Sequence, residues 1–124
     1  MKRDMEIIRT ILLNAEDGKY GYGQPIRLEG HSDQVCAYHV ALMLDAGLVD
    51  GEVLKTSECP YAAAMIHRLT SAGHDFCDGI RQDTIWNKAK RHIIKPGVSY
   101  GLPVLIEFVK LEVRRMVFGN PPSN

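Results

Sequence analysis

No apolar run in this sequence approaches the roughly 20 residues a membrane-spanning helix needs. At the amino terminus Arg9 interrupts the apolar residues after Ile7 and Ile8, so no signal-peptide core forms. Cysteine is scarce: Cys36, Cys59 and Cys77 are odd in number and lack a short repeated spacing, which argues against a disulfide framework or a zinc knuckle. The expected setting is therefore reducing and cytoplasmic. An excess of positive charge is missing too, because 15 basic residues balance 15 acidic ones, so a nucleic acid could be held only by a local patch. The glycine-rich stretch DGKYGYGQP has no preceding strand and no GK[ST] after it, so it reads as a loop rather than a phosphate cradle. What the chain does have is 45% apolar residues over 124 positions, enough for one core.

Met5, Ile8, Ile11, Leu12 and Ala15 recur at helical steps and predict an amphipathic helix over Arg3 to Glu16, with Asp4 favourable in its first turn. Pro25 to Glu29 alternates apolar and charged residues, as a short half-buried strand would. Ser32 is a suitable N-cap and Gly47 a suitable left-handed terminator for a second helix over Asp33 to Ala46. In it Cys36, Val40, Met43 and Leu44 are expected to face inward, leaving Gln34, Ala37, Tyr38, Ala41 and Asp45 outside. Leu48 to Thr56 and the run AAAMIHRL predict two strands joined by a tip at SECPY. Thr70 can cap a following helix through Ile93, with a break or bend possible near Gly79, in which Trp86 reads as an apolar anchor. KPGVSYG predicts a loop, Leu102 or Pro103 to Phe118 a last helix, and GNPPSN a frayed tail.

Helix, short strand, helix, strand, tip, strand, helix is the order of a winged helix-turn-helix with a shortened or missing middle helix. The segments MKRDMEIIRTIL, AYHVALMLDAGLV and RLTSAGHDFCDGIRQDTIWNKAK resemble family 2513 of the domains of unknown function, small proteins of prophages and bacterial genomes. The resemblance covers most of the chain, and its most specific part is LT-x-x-GH-x-F followed by IR-x-DT-x-W-x-K. It implies a winged-helix-like fold and brings no list of catalytic or ligand-binding residues. The expected architecture is thus α+β: a winged-helix-like domain over residues 1–95 with a three-stranded small sheet, and a C-terminal helix over residues 96–124 packed on the same domain.

In such a fold the second helix would enter the DNA major groove and the wing would touch backbone. The candidate contacts are His31, Gln34, Tyr38 and His39, with Lys55 and Arg68 supplying charge. Yet between Gly30 and Glu52 there is no Lys or Arg, while Asp33, Asp45, Asp50 and Glu52 would repel phosphates. Lys88, Lys90, Arg91, His92 and Lys95 read as cations solvating a helix C-terminus. Cys36 with His39, and His74 with Cys77, have helical i, i+3 spacing but no partner pair, so neither a metal site nor a nucleophile–base pair is expected, and no cofactor or enzymatic activity is assigned.

The last helix carries two apolar stripes. Leu102, Leu105, Val109, Val113 and Met116 form one; Val104, Phe108, Leu111 and Phe118 form the other. A core can cover only one, so the second predicts a homodimer interface. The function expected first is a dimeric DNA-binding transcription regulator of bacterial or prophage origin. The alternative is a protein-interaction adaptor that binds no nucleic acid.

Overall fold

The computed structural model describes residues 1–95 and 100–119. The fold is α+β, with five helices and one two-stranded antiparallel sheet among the described residues. Internal contacts divide the chain into two compact units, Met1–Cys77 and Asp78–Asn124, with the boundary falling inside a helix.

In the first unit, α1 (Met5–Glu16) begins where the Asp4 carboxylate accepts a hydrogen bond from the Glu6 N–H, and buries Met5, Ile7, Ile8, Ile11 and Leu12. At about 1.5–3 kcal/mol for each large aliphatic side chain removed from water, this face alone is a major contribution to folding. α2 (Asp33–Asp45) begins at Ser32, whose hydroxyl accepts from the Val35 N–H at 3.1 Å. It ends in a Schellman motif: the Gly47 N–H reaches the Leu44 carbonyl, the Leu48 N–H reaches that of Met43, and Gly47 takes the required positive φ of 73°. β1 (Val49–Leu54) and β2 (Ala63–Leu69) pair from Val49 opposite Leu69 to Leu54 opposite Ala63. The register slips between Asp50 and Gly51, leaving His67 as the extra residue of a bulge. Only glycine fits at 51, because a Cβ there would lie 2.1 Å from the Met65 carbonyl oxygen. Thr70 closes the hairpin base: its hydroxyl donates to the Gly47 carbonyl at 2.6 Å and accepts from the Gly73 N–H at 3.0 Å, which caps α3 (Ser71–Ile80).

The expected strand over Pro25 to Glu29 does not form. Proline lacks a donor, and a single hydrogen bond remains, from the Ile26 N–H to the Ala64 carbonyl of β2 at 2.8 Å, so the sheet has two strands rather than three. The break allowed near Gly79 falls at Arg81 and Gln82 and makes two helices, α3 and α4 (Asp83–His92), where Gln82 is extended with ψ 115° and Asp83 opens a new first turn.

In the second unit, Ile85, Trp86 and Ala89 of α4 and Leu102, Leu105 and Val109 of α5 (Leu102–Phe118) are buried, and the two helices pack together. Gly79, near that break, also makes room: a Cβ there would lie 2.2 Å from Val109 Cγ1. The expected loop KPGVSYG and the tail after Gly119 lie largely outside the described residues.

Candidate functional site

The residues proposed to contact nucleic acid are dispersed. Gln34 is exposed on the first turn of α2, and Lys55 is exposed just beyond β1. Tyr38 is half-buried, its ring edge-on to Tyr61 of the hairpin tip at 5.4 Å and 79°. The tip is itself ordered by the Thr56 hydroxyl, which accepts from the Glu58 and Cys59 N–H groups. His31 is exposed on the rim of a hollow of about 360 Å³ that it shares with Asp4, Glu6 and Glu29, so its surroundings are acidic. Arg68 on β2 lies 2.7 Å from Asp50 of β1, and Arg27 lies 3.6 Å from Asp33 of α2. Arg68 and Arg27 therefore each face a carboxylate of the same surface.

His39 corrects the reading of α2 as a displayed helix. It is fully buried, as is Ala37, because α1, β1 and β2 all pack on α2 and leave only part of its surface open. The His39 Nε2 accepts from the Asp4 N–H at 2.9 Å, and Nδ1 donates to the Val35 carbonyl at 2.7 Å. These two bonds fix the neutral tautomer and tie the start of α1 to α2. Burial holds the imidazole pKa below its ordinary value, opposed by the Val35 bond.

With both ring nitrogens engaged, His39 cannot serve Cys36 as a base, and burial pushes the Cys36 thiol above its usual range. His74 and Cys77 also diverge: His74 Nδ1 meets Glu16 at 3.2 Å, whereas the Cys77 thiol points to the Leu12 carbonyl at 3.8 Å. Among the described residues, no three His, Cys, Asp or Glu side chains converge as a metal site.

Two features escaped the sequence. A second hollow of about 230 Å³ is lined by Glu16, Tyr20, Tyr22, His67 and His74, residues too scattered in the chain to suggest a common wall. Glu112 is buried on α5, 2.9 Å from Arg115 and 3.2 Å from Lys88, so one of the presumed solvated cations has an internal partner. Its signal was available: Glu112 continues the spacing of the buried Leu105 and Val109.

On the proposed dimer stripe, Phe108 is half-buried with its ring 6.2 Å from that of His92, while Val104, Leu111 and Phe118 are 42%, 55% and 77% exposed. Val117 beside them is 66% exposed, and Met116, assigned to the inner stripe, is exposed at 57%.

The sequence model of the family described as Hypothetical protein (DUF2513) matches residues 2–99. An "Uncharacterized protein" of Haemophilus influenzae is similar at 29% identity over 119 residues, covering 94% of this chain and 99% of its own length. No solved structure matches.

Proposed function

This chain belongs to the family described as Hypothetical protein (DUF2513), and from that premise we propose that it is a winged-helix-like protein-interaction module that self-associates through α5. The winged-helix reading is supported by the order α1, the Ile26 bridge, α2, β1, tip and β2. One observation carries the choice of a protein partner over a duplex: on the α2 and hairpin face, Arg27 and Arg68 are matched by Asp33 and Asp50. A face already neutral within itself releases few counterions on meeting DNA, whereas exposed Gln34, half-buried Tyr38 and the ordered tip suit a polar, aromatic-bearing protein contact.

A DNA-binding regulator is the second reading, favoured by exposed Lys55 next to the hairpin tip, where a wing would meet phosphate. Retention of a labelled duplex measured from low to moderate salt separates the two. The adaptor predicts weak binding with a shallow salt slope. Tight binding that falls steeply with salt, and more gently in Lys55→Ala, overturns it in favour of the regulator.

A further inference from the structure

Resting on the reading of α5 as a self-association surface, we propose that two copies of this chain pair their α5 helices antiparallel, about a two-fold axis passing beside Leu111. Val104, Phe108, Leu111, Arg115 and Phe118 follow one another at steps of four, three, four and three residues, the spacing of a helix-pairing seam. The other side of the same helix, Leu102, Leu105 and Val109, is buried within its own unit. Arg115 is the one charged residue at a seam position. Its guanidinium reaches sideways to Glu112 at 2.9 Å, which leaves its aliphatic stem to lie along the apolar stripe.

Charge selects the occupant and its direction. Glu107 and Arg114 stand two turns apart on one flank of the seam, Glu107 with 69% of its side chain exposed and Arg114 exposed as well. In an antiparallel pair like flanks meet, and Glu107 and Arg114 lie at nearly equal distances on either side of Leu111. Each Glu107 then comes level with Arg114 of the second copy, and the symmetry makes the contact twice. Val104 is brought alongside Phe118 of the second copy, while Leu111 meets its own image. A parallel pair instead sets the Glu107 flank against the opposite flank, where Leu105 and Glu112 are buried within their own unit, so neither Glu107 nor Arg114 gains an opposite charge there.

The test is the dimer dissociation constant of the full chain by sedimentation equilibrium, with Glu107→Arg, Arg114→Glu and the double variant beside the parent. Each single reversal turns two attractions into repulsions and is expected to weaken the dimer roughly tenfold, and the double variant to recover most of the loss. An unchanged helical signal in circular dichroism accompanies each result, since Glu107 contributes only a surface ion pair with Lys110 at 3.4 Å. A dimer that Glu107→Arg leaves unchanged or tightens overturns the antiparallel arrangement while self-association stands. A parent chain that stays monomeric overturns both.

Discussion

α2 and α5 are both regular helices rich in apolar residues, 13 and 17 residues long, but they present those residues to very different surroundings. α1, β1 and β2 all pack on α2, so Cys36, Ala37, His39, Val40 and Met43 are buried around much of its circumference, and both its ends are capped. α5 buries one side, with Glu112 held among cations, and leaves Val104, Leu111 and Phe118 open. Apolar content alone therefore does not distinguish a helix that builds a core from one that offers a surface. The distinction lies in how many neighbours surround it, and substitutions in the two helices should separate into effects on folding and effects on association.

Met43→Ala is expected to act most strongly, lowering unfolding free energy by about 2–5 kcal/mol in urea titration with an unchanged slope, because the side chain is fully buried. Glu112→Ala removes the shared partner of Lys88 and Arg115. Both cations are about half exposed and can rehydrate, so the loss should be about 1–2 kcal/mol rather than that of a wholly buried pair.

Acid supplies a comparison within the first unit. Burial holds His39 neutral in the folded state, with His31 adding to the effect and Asp4 opposing it, so its pKa lies below the ordinary 6.5 and the unfolded chain binds the extra proton first. This contribution is fully present above about pH 6.5 and is lost as pH falls below it, at no more than about 1.4 kcal/mol per pH unit. His39→Gln should flatten that part of the stability profile; an identical slope in the variant would assign the acid sensitivity elsewhere. Ser32→Ala, which removes the cap of α2, should cost about 1 kcal/mol. Leu111→Ala should change unfolding by less than about 0.5 kcal/mol when measured on the monomer, despite being a leucine truncated on a helix.

Local chemistry made the helix limits legible. Ser32 and Gly47 mark α2, and Pro103 marks the start of α5, because caps, left-handed glycines and first-turn prolines act within a few residues. Burial of His39 was not legible, since a helical wheel displays one face without showing how many elements will surround it. The Pro25 to Glu29 alternation looked like a strand, but a ladder also needs a partner edge, and only Ile26 finds one. Gly79 signalled a break in the helix after Thr70, but its place at Arg81 and Gln82 was blurred because apolar spacing continues through Ile80, Ile85 and Trp86 across it. Of the candidate site, the exposed stripe of α5 was visible from periodicity alone. The ion pairs Arg27 with Asp33 and Arg68 with Asp50 depend on the folded path of the chain and could not be read from it.

The molar mass in solution of the parent chain and of Leu111→Glu, taken by light scattering at micromolar concentration, tests the contrast between the two helices most directly. The account predicts a dimeric parent and a folded, monomeric variant with the same helical signal. A parent already monomeric, or a variant that remains fully dimeric, would contradict it.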